Sequence, residues 1–235
     1  MWKILSYGRK LLRWVRKGGV GTEIYDTIGF ESLYLSGGYV YSTGTWANSG
    51  SSGSTEDLSA VGTKPTLTGN RVIFAGLGEL QGGSLTYATT NVQTLACVIK
   101  CTNISASWQE VVGKRRCRIR FNPFRTSLQF GLQNWEITGE FALTEDVWYA
   151  IVMVADATTE KYKEWIWDID AGSWIRQGTE YTVTDIRSPV YGEFRIGGNT
   201  AGNQYWEGEI KECGISSAGA SDSEAEDLIE RLKSI

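Results

Sequence analysis

The sequence predicts an all-β fold, an antiparallel β-sandwich, preceded by one helix and closed by a shorter one. Three observations carry that expectation. Glycine is abundant, at 28 residues, and proline scarce, at 3, so turns are made by backbone freedom rather than by rigid rings. Short runs of aromatic and β-branched residues recur at intervals of about 8–15 residues, separated by Gly, Asn or Asp. One run, 148–156, is apolar at odd and even positions alike, which marks a central strand covered on both faces.

At 235 residues the chain buries enough surface to fold without a disulfide or a metal. It contains no histidine, which removes Ser-His and Cys-His catalysis, imidazole ligation and histidine-based pH switching. The four cysteines are Cys97, Cys101, Cys117 and Cys213. Cys97 and Cys101 fall on one predicted strand, about 13 Å apart and too far for a bridge. They share parity with Leu95 and Ile99, so buried, reduced thiols are expected. The paired CxxC spacing of a zinc site is absent, and cytosolic assembly is expected rather than secretion.

Charge divides the chain. Six cations, Lys3, Arg9, Lys10, Arg13, Arg16 and Lys17, lie in the first 22 residues with no acid among them. Removing them from the total of 23 basic and 27 acidic residues leaves 17 against 27, a net −10. A basic arm, 1–22, therefore precedes an acidic body, 23–235.

Residues 2–17 read as an amphipathic helix about 24 Å long. At 100° per residue Ile4, Leu5, Leu11, Leu12 and Val15 gather on one side and the cations on the other. Gly18 and Gly19 end it. Charges interrupt the apolar run too often for a signal peptide or a membrane span. Three uses fit an amphipathic arm: docking on a partner protein, packing back on its own body, or lying in a membrane interface. For docking, the contact residues are Ile4, Leu5, Leu11, Leu12 and Trp14, with Arg13 and Arg16 meeting acidic groups.

Residues 23–46 show short β runs broken by glycines, and 47–63 read as a long Ser/Gly-rich surface loop. Strands are expected at 71–76, 94–101, 109–114, 117–121, 127–132, 148–156, 162–169, 192–198 and 207–216. Residues 170–173 make a tight hairpin turn. The closing helix is capped by Ser221 or Asp222, carries Glu224 and Glu226 near its positive end, and buries Leu228, Ile229 and Leu232.

Several segments together resemble a concanavalin A-like or laminin-G-like jelly-roll domain. Trp46, Asn48 and Gly50, followed by Thr63, Pro65 and Thr66 and by Arg71 to Gly76, are similar to the opening of such domains in bacterial and phage proteins. Trp148, Tyr149 and Val152 resemble the family's central strand. Phe194 to Asn199, then Trp206 to Glu212, resemble its last two strands, and Ala220 to Glu226 its closing helix. The resemblance covers residues 24–235 and implies a jelly-roll β-sandwich, a fold that hosts lectins, glycosidases, adhesion modules and virion parts.

The jelly-roll glucanases carry two carboxylates in a Glu-x-Asp-x-x-Glu pattern on one strand, and that pattern is absent here. Glu164 and Asp168 lie about 13 Å apart on an extended strand. Glu224, Glu226 and Asp227 are explained by helix N-terminal charge. The expectation is therefore a protein that is not an enzyme and needs no cofactor. Asp156, Asp168 and Asp170 are the candidate ligands if calcium binds, although turn chemistry also explains them. Trp108, Trp135, Trp174 and Trp206 lie in or beside predicted loops and are candidate glycan-stacking rings. Lys114, Arg115, Arg116, Arg118 and Arg120 form a second basic cluster. On an acidic body it reads as a solvated or interface-facing strand rather than a nucleic-acid site.

With the resemblance, this layout implies a structural accessory protein of a bacteriophage virion, a head decoration or a fibre or tail component. The arm would dock on capsid or tail proteins, the protein would assemble as a symmetric homo-oligomer in the host cytoplasm, and the outward domain would bind host-surface glycans. The alternatives are a lectin-like carbohydrate-binding module of a bacterial surface protein and, less favoured, a glycan hydrolase or lyase.

Overall fold

The computed structural model describes residues 23–35, 37–82, 92–104, 109–114, 117–122, 127–132, 137–182, 194–198 and 204–235. The chain opens with a short helix, α1 (Glu23–Ile28), followed by β1 (Phe30–Tyr34), β2 (Tyr39–Val40), β3 (Thr45–Trp46) and β4 (Leu58–Gly62). Next come β5 (Thr66–Thr68), β6 (Arg71–Ala75), β7 (Gly78–Gln81), β8 (Val92–Cys101), β9 (Gln109–Lys114) and β10 (Cys117–Asn122). The remainder is β11 (Ser127–Leu132), β12 (Ile137–Ala142), β13 (Trp148–Asp156), β14 (Lys161–Asp168), β15 (Ser173–Thr182), β16 (Phe194–Ile196), β17 (Glu207–Ser216) and α2 (Asp222–Leu232).

These strands form two antiparallel sheets, so the predicted jelly-roll sandwich is the observed fold. Sheet A runs β15-β14-β13-β8-β17-β6-β5, and β1 also pairs with β17. Sheet B runs β12-β11-β10-β9-β16-β7-β4-β3-β2. Strand β17 pairs with β8 along nearly all of its length, and on its other edge with β6 and then with β1.

Period-two alternation places the core. Leu95, Cys97, Ile99 and Cys101 of β8 and Tyr149, Ile151, Met153 and Ala155 of β13 face inward, meeting Leu80, Val112, Ile119, Phe121, Phe194 and Ile196 of sheet B. The alternate residues of the same two strands of sheet A, Ala96, Val98, Ala150 and Val152, are buried as well, in a second cluster under α1 and α2. That explains the doubly apolar run 148–156: one face meets the opposite sheet and the other meets helices.

Helix α2 begins as its sequence predicts. Ser221 and Glu224 make a reciprocal capping box, and Ala225, Leu228, Ile229 and Leu232 are buried. Helix α1 was not expected; its six residues are too few to show a helical period, yet Ile24, Tyr25 and Ile28 are buried. A buried polar joint ties both helices to the sheet, where Glu212 of β17 accepts from the Tyr25 hydroxyl and, at 3.1 Å, from Arg231.

The expected loop 47–63 is shorter than the sequence suggested. It contains a 3-10 turn at Gly53–Glu56 and all of β4. Asn48 organises what remains: its side chain accepts from Leu33 N and Gly50 N and donates to Glu31 O and Gly53 O, so the loop's backbone groups are paired. Gly197 sits at φ +80° with the Phe74 ring where a Cβ would go. Cys97, Cys101 and Cys213 are free, buried thiols, and burial pushes the Cys101 thiol up to about 12.

Candidate functional site

The outer face of sheet B carries the most unusual chemistry among the described residues. Its strands alternate apolar and polar residues, so the positions opposite the core residues Leu80, Ile119, Phe121, Phe194 and Ile196 are Glu79 and Gln81 (β7), Arg195 (β16), and Arg118 and Arg120 (β10). Strand β9 adds Glu110. A bulge at Val111 lets both Val111 and Val112 enter the core and sets Glu110 opposite Arg120.

Register turns these residues into two rows. One runs Gln81, Arg195, Gly113, Arg118 across β7, β16, β9 and β10. The other starts at Glu110 and Arg120, and the backbone register continues to Gln129 and Glu140. In the first row Gly113 stands between two arginines, so no side chain occupies that position.

These charges are withdrawn from water. Glu79, Glu110 and Arg120 are 2%, 4% and 3% exposed. Arg195 pairs with Glu79, and Arg118 lies 3.3 Å from Glu110. Burying such groups costs several kcal/mol per ion, roughly offset only where pairing is good. Burial pushes the Glu110 carboxyl above the usual range, outweighing nearby Arg118, Arg120 and Arg195. Burial also lowers Arg120, with Arg118 adding to the effect. Clustered charges with perturbed titration occur at functional sites and in structural ion-pair networks alike. Of the basic cluster expected on a solvated or interface-facing strand, Arg118 and Arg120 share the outer face; Arg120 is buried, and the partly exposed Arg118 pairs with Glu110. Of the missed members, Glu110 lies in the expected strand 109–114 and Arg195 in the expected strand 192–198, while Glu79 falls in a stretch the sequence does not mark as a strand.

The other sequence candidates fall elsewhere. Trp206 is fully buried between the sheets, and a Cβ on Gly208 would lie 2.5 Å from its ring. It is a core residue, not an exposed stacking ring. Its position just before β17 made it look loop-borne. Trp174 is half-buried, edge-on to Trp167 with ring centroids 5.1 Å apart, on the outer face of sheet A. Trp108 and Trp135 lie outside the described residues, as do the arm residues Ile4, Leu5, Leu11, Leu12, Arg13, Trp14 and Arg16.

The three aspartates do not converge. Asp156 accepts from Thr158 and Thr159 at one end of the β13–β14 hairpin. At the other end Asp168 accepts from Ala171 N and Asp170 from Trp148 N. Tyr149 pairs with Asp168 and Lys161 with Asp156, so the two ends are about 23 Å apart. Glu164 and Asp168 also part company. Glu164 points inward, fully buried, accepting from Tyr162 and Tyr181 at 2.9 Å each and from Arg176.

No protein-family model and no curated protein matches the sequence. Solved structures do. A Trypanosoma rangeli sialidase is similar with a TM-score of 0.62 at 12% identity, over 86% of this chain and 32% of that one. The binding domain of botulinum neurotoxin DC, solved with rat synaptotagmin II, gives 0.64 at 10% identity over 89% and 52%. A GH54 α-L-arabinofuranosidase gives 0.61 at 12% identity over 80% and 50%. The chain spans from about a third to about half of the length of these chains. The likeness is one of fold. It corrects the expectation that the chain is not an enzyme, because chains of glycosidases share this architecture. The chain has the fold of the β-sandwiches found in sialidases and toxin binding domains.

Proposed function

We propose that the chain is a saccharide-binding β-sandwich module whose ligand lies on the outer face of sheet B. The observation that carries this reading is the registered array of Glu79, Glu110, Arg118, Arg120 and Arg195, charges gathered on a sheet face away from the inter-sheet core. Carboxylates and guanidinium groups held rigidly on strands are suited to hydroxyl-rich ligands, since they offer both acceptors and planar donors. The solved sialidase and arabinofuranosidase chains of like fold belong to proteins named for acting on sugars, which is consistent with such a ligand. The test is a glycan array probed with the full-length protein, followed by Gln81→Ala and Arg118→Lys variants, the second keeping a cation beside Glu110. Glycan binding that is lost in the variants, with thermal melting held, supports the reading. An array with no bound glycan rejects it.

A second reading is favoured by the arm sequence: the module is an accessory protein of a bacteriophage particle, anchored through residues 1–22 and present in many symmetric copies. Its residues Ile4, Leu5, Leu11, Leu12 and Trp14 supply the apolar contacts and Arg13 and Arg16 the charged ones. Deleting residues 1–19 should abolish incorporation into particles while leaving the melting temperature of the body unchanged. Unaltered incorporation would rule out the anchor.

A further inference from the structure

The solvent side of the two helices is acidic. Helix α1 carries Glu23 and Asp26 and no base, and α2 carries Asp222, Glu224, Glu226, Asp227 and Glu230 against Arg231; Lys163 pairs with Asp222 and Lys233 with Glu230, which leaves a net −4. Arg231 adds nothing to the outer surface, since it turns down to the buried Glu212. The body as a whole carries −10, so about two-fifths of its excess negative charge lies in this thin layer. It has no exposed large apolar residue to attract an apolar partner.

The complement is tethered to its edge. Residue 22, the end of the basic arm, precedes Glu23, the first residue of the layer, and the arm carries six cations and no acid. Between Lys17 and Glu23 the chain reaches at most about 20 Å. Helix α2, eleven residues long, spans about 16 Å and packs against α1. The arm can therefore reach the whole layer without strain, at an effective concentration in the millimolar range.

We propose that the cationic side of residues 2–17 docks on the acidic α1–α2 layer of its own molecule. The pairing leaves Ile4, Leu5, Leu11, Leu12 and Val15 facing outward, as an apolar stripe on the side of the sandwich opposite the charged face of sheet B. The proposal is independent of what that face binds.

Hydrogen exchange on the full-length protein tests it. At about 20 mM salt, amides of residues 2–17 should exchange about tenfold more slowly than at about 500 mM, where exposed pairs are screened. The double variant Asp26→Lys with Glu230→Lys should remove that protection at low salt. Both side chains are exposed, and Glu230 gives up only an exposed pair with Lys233, worth at most about 1 kcal/mol, so melting should hold. An unprotected arm at low salt, protection untouched by the charge reversal, or protection that grows with protein concentration through a second copy would each overturn it.

Discussion

The two outer faces of the sandwich are built by the same alternation and end in opposite states. On sheet A the outward residues are Ala96, Val98, Ala150, Val152 and Trp165, and two helices seal them. On sheet B they include buried Glu79, Glu110 and Arg120, with half-buried Arg195 and Arg118 paired to Glu79 and Glu110. Both α-helices contribute to the apolar cluster on sheet A, where Leu228, Ile229 and Leu232 each gain about 1.5–3 kcal/mol by burial. The charged face gains no such energy and is retained against a desolvation cost. One face completes the fold, and the other asks to be explained by function.

Substitutions that treat the two faces alike should sharpen that difference. The largest single effect is expected from Arg195→Ala, which removes an ion pair to a carboxylate only 2% exposed and should cost about 3–5 kcal/mol in chemical denaturation. Replacing both partners by leucine should be close to neutral, and a double variant as unstable as the single would mean that the pair stabilises the fold. Under the helices, Leu228→Ala should cost about 3 kcal/mol by cavity formation, and no second substitution of a partner should restore it. Ser221→Ala removes the α2 cap and should cost about 1 kcal/mol by the same measurement.

The last effect concerns pH rather than magnitude. The folded Glu110 carboxyl sits above its unfolded value because of burial. Its contribution to stability is therefore fully present below the ordinary glutamate range and is lost as pH rises through the raised folded value. Melting curves of Glu110→Gln against the parent should diverge over that window. Parallel curves would show that the carboxyl is not held protonated by the fold.

Strands carried by short runs of aromatic and β-branched residues between turn residues were legible in the sequence: 109–114, 127–132, 148–156 and 207–216 coincide with β9, β11, β13 and β17. So was α2, because its cap and apolar face are local patterns. Strands β4, β5 and β7 were not, since their Gly, Thr and Ser residues mimic turn chemistry and only pairing with distant strands holds them extended. The charged face was half legible. Arg118 and Arg120 stood out as a stripe, but their burial depends on Glu110, which is brought opposite Arg120 by a bulge, while Glu79 and Arg195 come from strands far away in the chain. Trp206 was misplaced for the same reason: the residues that enclose it come from other parts of the chain.

Strand β17 has a consequence for how the molecule is made. It is the last strand in the chain and yet lies inside sheet A, between β8 on one edge and β6 and β1 on the other. Its Ser216 hydroxyl donates to the Ile28 carbonyl, 188 residues away. A chain emerging from the ribosome therefore holds β8, β6 and β1 with unmatched edges until residues 207–216 have been synthesised. Closure is a late, long-range event, slow by contact order and exposed meanwhile to mispairing with other nascent chains.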